Sequence, residues 1–362
     1  MLFQPEAHEP LIDDQWSSER ARAAIGTIVA DVEAAFDDGW PAHVQDSDGG
    51  ERFRTVYLGG AGVVDALRRL SGRGFVELKR GYVSYLERSV EAGPDFPEQD
   101  SERSLWMGET GIRLVLQRLA PSPENLERLA QLIAANERDE RRELMWGSAG
   151  TILAARELAL EVDGAIEWLR GQADEDGLWT QQLYGHSLRF LGPAHGLSGC
   201  VLALGDGTAV SETLRRFAVE ENGLANWPRV AGQGLDASRD GQIRTQWCHG
   251  APGIIATLAH LLDEELADAG GELTWRAGPL RKGANLCHGT AGNGYAFLAL
   301  FERTRDERWL ARARTFAIHA LAQVEQARSR YGQGRYTLWT GDPGTALFLA
   351  DCIDAKNQLP LP

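Results

Sequence analysis

Four cysteines in 362 residues are too few to staple a chain of this size, so stability must come from a packed core rather than from disulfides. They are Cys200, Cys248, Cys287 and Cys352. Cationic charge is also scarce: 37 Lys and Arg stand against 52 Asp and Glu, a net charge of −15. Such a surface repels phosphate backbones, which argues against a nucleic-acid partner, and it is equally unsuited to an anionic membrane face. No run of consecutive apolar residues approaches the ~18 needed to cross a bilayer. The opening residues MLFQPEAHEPLIDDQWS contain acids and no apolar core, so they do not read as a secretory signal. The expectation is a cytoplasmic protein.

What is present is enough to build a large interior. Hydrophobic residues make up 43% of the chain and include eleven Trp, rings that fill cores or line wide cavities. Glycine, at 41 residues, is not scattered. A Gly-x-x-Gly pattern or a close variant, followed by an apolar stretch, occurs in LGGAGVVDAL, MGETGIRLVL, WGSAGTILAA, HGLSGCVLAL, HGAPGIIATL, HGTAGNGYAFLAL and TGDPGTALFLA. The first glycines of these seven copies are Gly59, Gly108, Gly147, Gly196, Gly250, Gly289 and Gly341. Spacing this regular signals one structural unit per copy.

Each interval has room for two helices. The stretch after each glycine pair is apolar nearly all round, which predicts a buried helix. Between copies, ARAAIGTIVADVEAAF, FVELKRGYVSYLERSVEA, SPENLERLAQLIAANERD and ERWLARARTFAIHALAQVEQAR show apolar positions three and four apart with Arg and Glu between them, the pattern of outward-facing helices. Weaker outer stretches fall near residues 211–221 and 258–268. Strand signals are sparse. The prediction is an all-α domain over residues 1–362, with inner helices around an axis and outer helices surrounding them. The last copy is as apolar as the middle ones, whereas an open solenoid wants polar caps, so a closed toroid is expected.

In copies five and six the residues before the first glycine become WCHGAPG and LCHGTAG. Repeat symmetry puts Cys248 and Cys287 at the same end of adjacent inner helices. Two thiolates and one imidazole would make a three-ligand Zn²⁺ site with a fourth position open, the form of a catalytic rather than a structural zinc. Symmetry alone leaves His249 and His288 equivalent as the third ligand. His195 occupies the same slot in copy four. Glu143 and Arg244 lie just upstream of their own copies, where each is either a site residue or a solvated loop charge. The long irregular segment GLANWPRVAGQGLDASRDGQIRTQ leading into Cys248 is expected to flank the cavity mouth.

At WCHGAPG, KGANLCHGTAGN, ELMWGSAG and AHGLSG the chain resembles the lanthionine synthetase C-like family over almost its whole length. The resemblance implies an α/α toroid of seven inner and seven outer helices. It makes Cys248, Cys287 and His288 the zinc ligands, His195 the acid or base beside the metal, and Arg244 the arginine upstream of the first ligand cysteine. Glu143 stands where dedicated lantibiotic cyclases tend to carry Asp, and His249 replaces a tyrosine typical of those cyclases. WCHGAPG and KGANLCHGTAGN look more like the stand-alone members that add glutathione to dehydroalanine and dehydrobutyrine residues in proteins. Lys282 matches the lysine that helps hold glutathione in that group. The implied reaction is zinc-dependent addition of a small thiol to a peptide or protein carrying dehydroamino acids, with Arg244 the candidate cation for the enolate and His195 or His249 the proton donor. A lanthionine-forming cyclase and a non-catalytic zinc or thiol-binding scaffold remain as alternatives. A glycosidase on a related toroid would need two flanking carboxylates, and only Glu143 is a candidate.

Overall fold

The structure is a computed structural model that describes residues 1–47, 50–207 and 209–362. Its described residues form fourteen α-helices: α1 (Ser18–Ala34), α2 (Gly60–Gly72), α3 (Val83–Glu91), α4 (Glu109–Leu119), α5 (Pro123–Ala135), α6 (Ser148–Glu157), α7 (Asp163–Gly171), α8 (Leu197–Leu204), α9 (Val210–Phe217), α10 (Ala251–Leu258), α11 (Glu264–Ala277), α12 (Thr290–Thr304), α13 (Glu307–Tyr331) and α14 (Asp342–Asp354). The even-numbered helices are the glycine copies. In every one, the first glycine of the copy is the N-cap residue. Among the described residues no helix is long and apolar enough to cross a membrane.

The two glycines of a copy act differently. Gly250 has φ +101°, a conformation that residues with a Cβ rarely adopt. The second glycine of each copy packs against the carbonyl six residues earlier; at Gly253 and Gly292 a Cβ would overlap the carbonyl oxygens of Trp247 and Leu286. Glycine thus lets the chain double back just before each inner helix. The even helices then touch in order, α2 on α4, α4 on α6, α6 on α8, α8 on α10, α10 on α12 and α12 on α14, and α14 also packs on α2. Odd helices pack against them; α13 lies on both α12 and α14, and α1 on α14.

The odd helices depart from the sequence pattern in three places. Residues 75–82 are not helical, because the Glu33 carboxylate of α1 accepts the Lys79 backbone N–H at 2.9 Å and the Tyr82 hydroxyl at 3.3 Å, holding the segment as a loop. The stretch near 258–268 straddles a break: α10 ends at Leu258, and α11 starts only after Asp263, whose side chain caps it by accepting from Leu266 N at 2.9 Å. α11 then runs through Gly270 and Gly271, which permit close approach to Ile255 and Trp309. The stretch near 211–221 stops being helical at Phe217 and becomes strand β3 (Val219–Glu221), paired antiparallel with β4 (Leu224–Asn226). A second short hairpin pairs β1 (Gln181–Leu183) with β2 (His186–Leu188).

The core answers the question left by the Trp content. Trp106, Trp247 and Trp339 are at most 1% exposed, and their rings meet at centroid distances of 4.4 Å (Trp106–Trp339), 4.6 Å (Trp247–Trp339) and 5.9 Å (Trp106–Trp247). They come from three separate copies and fill shared core. Contacts at these separations add to the area each ring buries.

Candidate active site

The site is built at the slot two residues before each first glycine, occupied in order by Tyr57, Trp106, Met145, Ala194, Cys248, Cys287 and Trp339. Backbone hydrogen bonds link this slot between neighbouring copies. Tyr57 N donates to Trp106 O at 3.0 Å and Trp106 N to Met145 O at 3.4 Å. Cys248 N donates to Cys287 O at 3.0 Å and Cys287 N to Trp339 O at 2.9 Å. The next slot holds His195, His249 and His288 in three successive copies. The structure therefore brings together every residue the sequence singled out: Cys248, Cys287, His195, His249, His288, Arg244 and Lys282 all line one cavity of about 610 Å³, and Glu143 sits directly behind His195. The segment leading into Cys248 supplies Arg229, Asp240, Gln242, Arg244 and Gln246 to the cavity wall.

The two sulfurs shift each other's titration. The Cys287 thiol, followed by the amide of Gln246, brings the Cys248 thiol down to about 7 despite burial. Cys248, with burial, pushes Cys287 up. Each sulfur has a hydrogen-bond donor: Gln246 Nε2 reaches Cys248 Sγ at 2.9 Å, and Tyr57 Oη reaches Cys287 Sγ at 3.0 Å. Burial and Cys287 hold the Tyr57 phenol well above its usual range, so it remains a donor. The sequence reading passed over both residues. Tyr57 could have been found, since it occupies in copy one the slot that the cysteines hold later.

Burial, followed by the charge of Arg335, takes His288 down to about 4, leaving a neutral imidazole. His249 is likewise held well below its usual value, by burial first and then by His195, Arg229, Arg244 and Lys282; its Nδ1 is buried without a partner. His195 differs, because its Nδ1 lies 2.8 Å from Glu143 Oε2. Glu143 is fully buried, not a solvated loop acid. Its carboxylate also accepts the backbone N–H groups of Met145 (2.9 Å), Trp146 (2.5 Å) and Gly147 (2.9 Å), where the helix dipole of α6 favours negative charge. Arg244 is engaged, with Nη2 on Asp240 at 2.5 Å and Nη1 on Gln242 Oε1 at 2.6 Å. Lys282 stands exposed at the rim and donates to Gln246 Oε1 at 3.2 Å.

Among the described residues no group of three or more His, Cys, Asp or Glu side chains is arranged to hold a metal ion. The donor chemistry of Cys248, Cys287 and His288 fits one all the same: the backbones of the two cysteines are hydrogen-bonded neighbours, the imidazole is neutral, and all three line the same cavity. None of the four cysteines is in a disulfide.

Residues 54–362 match the family described as lanthionine synthetase C-like protein. Among curated relatives, the chain is 33% identical over 200 residues to glutathione S-transferase LANCL1 of Danio rerio, covering 50% of this chain and 46% of that one. It is 30% identical over 192 residues to LanC-like protein GCL1 of Arabidopsis thaliana, covering 48% and 43%. The matched region is thus less than half the length of each relative. In three dimensions the fold is similar to that of nisin cyclase, with a TM-score of 0.55 at 16% identity over 83% of this chain and 93% of that one. A match that takes in all seven glycine copies and both Cys-His-Gly motifs makes this chain a member of the lanthionine synthetase C-like family.

Proposed function

We propose that the chain is a zinc-dependent enzyme that adds a small thiol, such as glutathione, to dehydroalanine or dehydrobutyrine residues of a peptide or protein, forming a thioether. The observation that carries this reading is the meeting of the Cys248–Cys287 pair and the His195–Glu143 pair on one cavity wall. We also infer that the inner helices form a closed toroid around that cavity, a reading supported by the packing of α14 on α2.

Cys248, Cys287 and His288 would hold the zinc, which when bound supplies a Lewis acid that deprotonates a coordinating thiol at neutral pH. The remaining work belongs to the chain. Lys282 at the rim offers a cation to a carboxylate of the thiol donor, as suits a relative named glutathione S-transferase. Arg244, Lys282 and Arg335 line the cavity of a protein whose overall charge is −15, so the field there draws in an anionic thiol. Glu143 holds Nδ1 of His195 and so orients the ring, leaving Nε2 free to take up the proton the thiol gives up and deliver it to the α-carbon after the sulfur has bonded to the β-carbon. His249, held neutral and without a carboxylate partner, is the poorer proton donor.

Incubating the purified protein with glutathione and a dehydroalanine peptide should yield the thioether adduct by mass spectrometry. A reaction only within a dehydrated peptide that carries its own Cys would mark a cyclase instead. His195→Asn should retain zinc and slow turnover by about 100-fold; a wild-type rate with metal bound would contradict the acid role.

A further inference from the structure

Addition of sulfur to a dehydroamino acid shifts the alkene electron pair onto the adjacent carbonyl, so a cation must face the oxygen that becomes negative. Arg244 and Arg335 are the obvious arginines of the cavity, yet each already has a carboxylate. Arg244 is held by Asp240, and Arg335 Nε lies 2.7 Å from Asp46 Oδ2. Arg229 differs. No side-chain hydrogen bond or ion pair engages its guanidinium among the described residues, and its Nε is buried with no partner. Among the described residues its one ring contact is with Phe190, whose centroid lies 5.5 Å from the guanidinium carbon.

That placement is rigid. Phe190 and Val230 form an antiparallel bridge, with Leu191 N donating to Arg229 O at 3.2 Å and Ala231 N to Arg189 O at 2.8 Å. Pro228 and the buried Trp227, anchored through Nε1 to Leu214 O at 2.7 Å, fix the approach from the other side. The Phe190 ring also faces His195 at 6.1 Å and His249 at 5.8 Å. One aromatic ring therefore touches both the free cation and the proposed proton donor, and both of these line the cavity.

We propose that Arg229, rather than Arg244, is the oxyanion-binding residue of this cavity and takes the carbonyl oxygen of the alkene as it becomes an enolate. This rests on the thiol-addition reading above. The thiol gives its proton to His195 and the sulfur–carbon bond forms as the alkene pair moves to oxygen; the enolate then collapses, the α-carbon takes that proton back from His195, and the Arg229 guanidinium stays charged throughout.

Arg229→Gln should keep its zinc content and melting temperature, lose about 100-fold in kcat on a dehydroalanine peptide, and leave the KM for glutathione unchanged. Arg229→Lys should fall between it and wild type, and added guanidinium ion should restore part of the rate of Arg229→Ala. Arg244→Gln should cost less in kcat. A peptide carrying a phosphonate in place of the acceptor carbonyl should bind Arg229→Gln at least about tenfold more weakly than wild type by calorimetry. A wild-type kcat in Arg229→Gln, a loss confined to the KM for glutathione, or equal phosphonate binding overturns the assignment. If the wild-type protein does not turn over, the thiol-addition reading falls, and the phosphonate comparison still decides the role of Arg229.

Discussion

Copies five and six and copies two and seven use the same slot on the same backbone, yet one pair presents Cys248 and Cys287 while the other presents Trp106 and Trp339. The hydrogen-bond ladder does not distinguish them: Cys287 donates its N–H to Trp339 just as Cys248 donates to Cys287. The side chains part ways. The Trp rings close on one another in the core, whereas the thiols face the cavity beside three histidines. Position in the repeat fixes where a side chain is presented, and residue identity alone decides whether that place is used for packing or for chemistry.

The comparison breaks most sharply under substitution. Cys287→Ala should abolish bound zinc and lower thiol addition by at least about 1000-fold, because loss of a ligand removes the site as a unit, while the melting temperature of the metal-free protein changes little. Trp106→Ala should do the reverse. Removing a fully buried indole costs about 3–5 kcal/mol, read as a lowered denaturant midpoint, with any residual folded protein still binding zinc. Equal stability losses in the two variants would mean that the two arcs are not separable.

A finer test uses pH on the packing side of the molecule. Asp65 of α2 is buried, which alone would raise its carboxyl, but Arg118, Arg69 and Arg68 outweigh burial and hold it at about 2. Its folded value lies below the unfolded one, so its stabilisation is present above about pH 4 and is lost as pH falls toward about 2. In thermal melts of metal-free protein, the gap between wild type and Asp65→Asn should narrow over that window. A gap that stays constant would remove Asp65 as an ionised anchor.

The repeat made much of this legible. Glycine pairs are local signals, and all seven first glycines are helix N-caps; the slot equivalence of Cys248 and Cys287 follows from that register. Outer helices were less legible because their limits depend on partners far along the chain, as when Glu33 captures residues 79 and 82. The His195–Glu143 bond, the Tyr57 hydroxyl on Cys287 and the bridge that aims Arg229 each join segments no local pattern connects. Glu143 shows the cost of that blindness: next to an apolar helix it reads equally well as a solvated acid, and only its place against three backbone N–H groups and His195 shows otherwise.

X-ray absorption at the zinc edge, on protein purified with its metal, addresses the central claim most directly. The account predicts one zinc per chain with the sulfurs of Cys248 and Cys287, the imidazole of His288 and one light atom, the last replaced by sulfur when glutathione is added. Protein that takes up no zinc, or a zinc shell without sulfur, would contradict it.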